Sequence, residues 1–440
     1  MTAKQPTLNR SIGLFALTLY GIGDILGSGI YGLVGKAAGE MGSAVWLGFF
    51  ISMVAAGLTG LSYASLSSRY PRAGGAAYTT YRAFNNGFVA YVVGLAVLAS
   101  GLTSMATAAR VFAGYFTGMG LPLPPTVVAL LFAAFVAAVV YRGIRESIFT
   151  NSIFTFVEIG GLLFILLIGA RYIGSTNYLD ATTAANPSGE IGLSLLLTGA
   201  VLTFYSFVGF EDMINVAEEV KEPRKTMPRG LILAIAISSL IYMGISIVAV
   251  SVIPPMELAA SNQPLVDVVA KAAPWFPTPI FSVIAMFAVA NTALLNFIMG
   301  SRLLYGMSVH GLVPKYLNKI HPERRTPHLA VFTVTVLFMI LILSGDVSSL
   351  AKATSVLLLS CFVVVNIALI VLQRRETIEG AFEVPSFIPI VGSLICIAML
   401  SRAGSAELLM AGVILFVIVA LYFIMKPNPQ SISQMDEVDG

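Results

Sequence analysis

The feature that most constrains this chain is the repeated alternation of long apolar runs with short polar connectors. A helix that crosses a bilayer needs about 20 mostly apolar residues. On that ruler the sequence divides into about twelve runs, at 11–38, 43–68, 86–116, 124–141, 148–171, 191–217, 230–253, 278–305, 329–344, 355–373, 386–401 and 407–425. Such runs cannot form a water-soluble surface. Of the 440 residues, 57% are hydrophobic and 11% are charged, whereas soluble domains carry about 25% charged residues. The expected fold class is an all-α integral membrane protein. The first run is too long for a signal-peptide core, lacks a small-residue cleavage pattern and leads into a second run, so retention is expected. Cys361 and Cys396 both lie in apolar runs, which gives neither a disulfide framework nor metal-ligand spacing.

Lysine and arginine set the orientation, because excess basic charge marks the cytoplasmic side. One set of flanks holds Arg10, Arg69, Arg72, Arg82, Arg142, Arg145, Lys221, Arg224, Lys225, Arg302, Arg374 and Arg375 among others, while the opposite set holds Lys36, Arg171, Lys271, Lys352 and Arg402. Both termini are therefore expected in the cytoplasm, with the protein in the inner membrane. The basic loop 306–328 carries His310, His321 and His328, read as solvated side chains rather than a metal site. Arg110 lies within a run, near its outer end, and is read as snorkelling to the interface.

Two of the runs are interrupted. The first contains "YGIGDILGSGIYG", residues 20–32, with an aspartate among five glycines. The sixth contains "LLLTGAVLTFYSFVGFEDMINVAEEV", where Gly209 precedes Glu211 and Asp212. By the charge count the first run starts inside and the sixth starts outside, so the two head opposite-facing halves. Corresponding broken helices in two inverted halves point to a transporter's binding site. The expected organisation is a tail at 1–10, a five-helix repeat at 11–172, an inverted five-helix repeat at 191–373, two peripheral helices at 386–425 and a tail at 426–440.

A break in a helix sacrifices backbone hydrogen bonds that the bilayer cannot replace, and it exposes a new N-terminus that attracts an anion. The second half-helix of the first run should begin near Gly27-Ser28-Gly29. Its amides would hold a substrate carboxylate, while unwound carbonyls around Phe207, Val208 and Gly209 would accept a substrate ammonium. Those two clamps together suit an amino acid. Close helix packing is the structural alternative for the glycines.

Asp24, Glu158, Glu211 and Asp212 also fall inside runs. An ionised acid at the membrane centre costs about 2.5–3.5 kcal/mol on insertion scales, so each needs a partner, a proton or water. Asn151, Thr155 and Glu158 share one helical face. Glu211 and Asp212 are adjacent and diverge by about 100° on a helix, so one of them is expected to face the substrate. Glu218 and Glu219 are read as hydrated. Asp24 is expected to face the cavity and pair with a cationic substrate group.

Three other functions compete with a transporter. Gly21-Ile22-Gly23-Asp24 has the form found in intramembrane aspartyl proteases, but the tyrosine-preceded second aspartate and the Pro-Ala-Leu motif are missing. A serine-type hydrolase has no histidine within a run to act as base. A channel would show filter loops and oligomeric symmetry, whereas a paired helix break in one long polypeptide favours alternating access.

The stretches "GDILGSGIY", "SYASLSSRYPRAGGAAYTTYRAF", "FYSFVGFEDMINVAEEVKEPRKTMPRG" and "SRLLYGMSVHGLVPKYLNKIHPERRTPH" resemble the amino acid–polyamine–organocation transporter superfamily. The likeness runs from the first run through the tenth, in order and spacing. It implies the five-plus-five inverted-repeat fold of the bacterial leucine transporter, with substrate between broken spans one and six. By resemblance Gly27, Ser28 and Gly29 match the carboxylate-binding Gly-Ser-Gly, with Asp24 and Ile25 beside them. Phe207, Val208 and Gly209 match the unwound part of span six, and Glu211 matches the proton-linked glutamate of the arginine–agmatine antiporter branch. Three positions depart from the pattern. Asp24 stands where relatives often have a neutral residue or asparagine, Glu158 stands where several proton-coupled members carry lysine, and Ser65 stands where many have an acid.

The expected function is a permease, not an enzyme, moving amino acids or related amines, with a cationic amino acid or polyamine favoured. Protons are the expected coupling ion, carried by Glu211, Glu158 or Asp212, while sodium stays open. No cofactor, metal or nucleic acid is expected. The partners are the small-molecule substrate and the lipid bilayer, and the sequence leaves oligomeric state open.

Overall fold

A computed structural model describes residues 10, 12–71, 75–142, 148–309, 313–322 and 326–427, with backbone alone at 148–152 and 309. The first crossing is made by α1 (Leu14–Ile25) and α2 (Ser28–Met41), followed by α3 (Val45–Arg69), α4 (Gly75–Phe84), α5 (Gly87–Gly118), α6 (Pro125–Tyr141) and α7 (Ile148–Gly169). Then α8 (Leu193–Phe204) gives way to a 3-10 turn (Tyr205–Phe207) and a 3-10 helix (Phe210–Glu219). Next come α9 (Pro223–Val252), α10 (Pro255–Ala260), α11 (Pro264–Ala272), α12 (Thr278–Val309) and α13 (His328–Ser344). The last three are α14 (Val347–Arg375), α15 (Phe387–Leu400) and α16 (Ser405–Met425). Among the described residues there is no strand, only a single bridge between Ile12 and Val220.

Among the described residues eight helical segments are long and apolar enough to cross a membrane, and Leu14–Ile25, Pro125–Tyr141, His328–Ser344 and Phe387–Leu400 are shorter apolar helices. The protein is an all-helical, multi-pass membrane protein. The broken α3-facing core is built where α9 packs on α3 and α12 and α14 pack on α5. At the periphery α16 buries only Ala411 and Ile418, as expected of a helix solvated mostly by lipid.

Several elements differ from the sequence reading. The tenth span starts at Val347 rather than 355, because Asp346 and Ser349 form a reciprocal capping box, which satisfies orphan amides at the helix start. Its polar first turns are tolerated because Lys352 Nζ lies 2.6 Å from Glu40 Oε1. The short helices α4, α10 and α11 went unread, since none has a membrane-length apolar run. Tertiary contacts hold them instead. Arg82 of α4 lies over the Tyr70 ring at 5.4 Å, and Leu258 and Leu265 are fully buried.

Arg110 is a further correction. Its guanidinium does not snorkel: Nε donates to the Ile342 carbonyl at 2.9 Å and Nη1 to Thr126 Oγ1 at 3.1 Å. It caps the last turn of α13, where carbonyls lack helical partners. His321 and His328 are half-buried rather than solvated, with rings edge-to-face at 5.8 Å, and His310 lies outside the described residues.

The polar contacts sort into two ends. At the end bearing the basic loops, Ile12 N donates to Glu219 O at 3.0 Å, Ser68 Oγ donates to Arg224 O at 2.7 Å, and Arg69 Nε pairs with Glu383 Oε1 at 2.7 Å. Ser65, which stands where an acid was expected, donates to the same Glu383 carboxylate at 3.5 Å. At the opposite end α10 and α11 lie across α2, where Lys36 Nζ donates to Ala259 O at 2.9 Å.

Candidate substrate site

The first break is abrupt. Leu26 is extended, Gly27 has φ 123°, and α2 begins at Ser28. Side-chain-bearing residues avoid that φ, so glycine is required there. A Cβ on Gly27 would also overlap the Thr292 hydroxyl of α12. The N-terminal amides of α2 thus start where the sequence placed them, with Ser28 2% exposed.

The second break is gradual. The chain tightens into the 3-10 turn at Tyr205–Phe207, extends at Val208, and turns at Gly209 with φ 124°. A Cβ on Gly209 would lie 2.5 Å from the Asp24 carbonyl oxygen, and one on Gly29 would lie 2.5 Å from Ser206 Cα. The two breaks therefore meet backbone to backbone, which only glycine permits.

Tyrosine hydroxyls tie the breaks together. Tyr242 Oη of α9 lies 2.6 Å from both the Ile25 and the Ser206 carbonyl oxygens. Tyr205 Oη lies 2.7 Å from Ser28 Oγ and 3.1 Å from the Ser104 carbonyl oxygen. Sequence reasoning missed Tyr205, Tyr242 and Thr292. The available signal was a tyrosine or threonine inside an apolar run, where a buried hydroxyl needs a partner.

The acids separate. Asp24 is 4% exposed and sits two residues before Leu26, its carbonyl against Gly209. Glu158 is 1% exposed on α7, which packs on α1, α9 and α12. Neither of its carboxylate oxygens has a hydrogen-bond partner among the described residues, and its carbonyl accepts the Tyr31 hydroxyl at 3.3 Å. Thr155, on the same face, packs against Gly23, while the Asn151 side chain lies outside the described residues. Glu211 is 5% exposed, and its Oε2 accepts the Gly209 N–H at 2.9 Å.

Glu211 and Asp212 both line a cavity of about 290 Å³ whose other lining residues include Gly75, Asn215 and Arg302. Glu219 lines the same space. Asp24, Ile25, Gly27, Ser28, Gly29, Phe207, Val208 and Gly209 are not among its lining residues. The site thus has two parts, a sealed junction of helix breaks and an acidic cavity beside it.

A many-helix membrane protein with two apposed helix breaks and a cavity bearing two carboxylates beside them has the construction of a membrane transporter. The sequence profile of the amino acid permease family matches residues 12–435, and the chain belongs to that family. It is a transporter rather than an enzyme. It is 27% identical over 456 aligned residues to the branched-chain amino acid permease BcaP of Bacillus subtilis, covering 98% of this chain and 96% of that protein. It is 28% identical over 420 residues to the methylthioribose transporter of the same organism, covering 90% and 88%. Cationic amino acid transporter 4 of Mus musculus is 29% identical over 398 residues, covering 85% of this chain and 61% of that longer protein.

Proposed function

We propose that the protein is a proton-coupled secondary transporter of amino acids or related amines, working by alternating access in the cytoplasmic membrane with both termini inside. The observation that carries this reading is the backbone contact of Gly29 with Ser206 and of Gly209 with Asp24. Two broken helices in contact bring a helix N-terminus and unwound carbonyls to one place. The amides of Gly27, Ser28 and Gly29 take the substrate carboxylate, and the carbonyls of Phe207 and Val208 take its ammonium. The halves at 11–172 and 191–373 act as inverted repeats, with 386–425 peripheral. Closure by α10 and α11 at one end and a cavity at the other correspond to an inward-facing state.

Coupling is assigned to Glu158 ahead of Glu211. Glu211 is engaged with the Gly209 amide, whereas charge on Glu158 must be met by a proton, a cation or water, since burying it unpaired is costly. The test is thermal stabilisation of purified protein by a panel of amino acids and amines, since a ligand that binds only the folded state raises stability. Accumulation into vesicles under an imposed pH gradient then follows for the best ligand. Stabilisation by amino acids with uptake that ignores the pH gradient would remove the proton and point to sodium or exchange. A neutral branched-chain substrate is the second reading, favoured by the 96% coverage of the Bacillus subtilis branched-chain permease.

A further inference from the structure

The cavity beside the breaks contains more polar chemistry than a passage for a neutral amino acid needs. Tyr63 of α3 lines it and is 1% exposed, and its hydroxyl has no hydrogen-bond partner among the described residues. The ring is fixed edge-on by Phe210 at 5.7 Å and Phe362 at 5.6 Å, so the hydroxyl cannot swing away to find one. Glu211 and Asp212 line the same space, with Asp212 Oδ1 3.3 Å from Asn215 Nδ2. Among the described residues Arg302 is the one basic residue of the lining, and it is exposed. A buried phenol and two carboxylates without a buried cation are the complement of an ammonium or guanidinium group.

Helix α12 gives the distance between this cavity and the first break. Thr292 packs against Gly27, and Asn296, whose amide donates to the Thr292 carbonyl at 3.0 Å, lines the cavity. Four helical residues at 1.5 Å each separate the two by about 6 Å. That is comparable to the four-carbon stem of a lysine.

We propose that the Tyr63–Glu211–Asp212 cavity is the subsite for the distal cationic group of a dibasic substrate whose carboxylate sits at Gly27–Gly29. This rests on the reading that the first break holds the carboxylate. The phenol accepts from the cation, the carboxylates supply the countercharge, and Val97, Leu98, Met299 and Leu303 of the lining meet the aliphatic stem. The cationic preference therefore belongs to Asp212 and Tyr63 and not to Asp24, which lies outside the cavity lining.

The experiment measures stabilisation of the full-length purified protein by lysine, leucine and agmatine, in the parent, Asp212→Asn and Tyr63→Phe. The expected result is that Asp212→Asn lowers the ratio of lysine to leucine affinity at least about tenfold, the scale for removing one partner of a buried charge pair. Tyr63→Phe, which preserves the packing, should lower the ratio severalfold. An unchanged ratio in both variants overturns the proposal, as does a parent protein that binds leucine and binds it at least as tightly as lysine. Failure of the carboxylate reading alone has another signature. Neither amino acid would bind, while agmatine, which has no carboxylate, would still stabilise the parent but not Asp212→Asn.

Discussion

The two helix breaks differ in what each does with its own helix N-terminus. At the first, Gly27 is followed at once by α2, and the nearest acid, Asp24, lies before the break. At the second, Gly209 is followed within two residues by Glu211, whose carboxylate already accepts the Gly209 N–H. A helix N-terminus is an anion site by dipole and by orphan amides. The second break therefore supplies its own anion, and the first is left to take one from outside. Two glycine breaks that look alike in sequence thus differ in whether the helix start after the break already holds an anion. The proposed reading gives the first to the carboxylate end of a ligand and the second to its cationic end.

The largest expected effect comes from filling the contact between the breaks. Gly209→Ala combines a positive φ with a Cβ 2.5 Å from the Asp24 carbonyl. Strain of this kind costs about 1–3 kcal/mol, and overpacking adds a similar amount. The variant should lose ligand binding and fall markedly in melting temperature. Unchanged stability would show that the breaks do not touch as described. By the same contact at Ser206, Gly29→Leu should destabilise the junction as well as block the ligand.

Next in size is Glu158→Gln, which should abolish pH-driven accumulation while amino acid binding persists, because an amide cannot cycle between charged and neutral forms. Vesicle uptake with and without a pH gradient reads this directly. Retained coupling would move the proton to Glu211, and would make the second break the ion-handling one.

Tyr242→Phe removes the hydroxyl that lies against the carbonyls of both breaks. Leaving a buried polar group unmatched costs about 1–3 kcal/mol, visible as a lowered melting temperature. If the two breaks are mechanically independent, the loss will be the same with and without bound amino acid. If they are clamped as a unit, ligand will recover part of it.

What the sequence revealed follows from how local each signal is. The spans, and the breaks at Gly27 and Gly209, are written in contiguous apolar runs and glycine clusters, so single-chain reading found them. Tyr242 and Tyr205 escaped because their partners lie far along the chain: Tyr242 meets Ile25 at a separation of 217 residues and Tyr205 meets Ser28 at 177. Arg110 was misread for the same reason, since the carbonyl it caps is 232 residues away. The acids were flagged correctly as exceptional, but residue type alone could not say that Asp24 packs at the junction while Asp212 lines the cavity. That distinction comes from helix rotation around the breaks, where regular 3.6-residue periodicity no longer applies.

The smallest predicted effect separates two uses of one hydroxyl. Ser28 Oγ lies 2.7 Å from Tyr205 Oη, and a carboxylate held by the Gly27–Gly29 amides would also lie within reach of this hydroxyl. Ser28→Ala should weaken amino acid binding by about 0.5–1.5 kcal/mol, the net value of one hydrogen bond, which is at most about tenfold. Agmatine, having no carboxylate, should bind the variant as it binds the parent. If the hydroxyl serves only to brace Tyr205, then Tyr205→Phe alone should cause the same loss, and the double variant should lose no more. If it contacts the ligand independently, the two losses should add, as they do for uncoupled sites. Additive losses confined to carboxylate-bearing ligands would fix the anion end of the substrate at the first break, whereas equal losses for agmatine would place Ser28 in the scaffold.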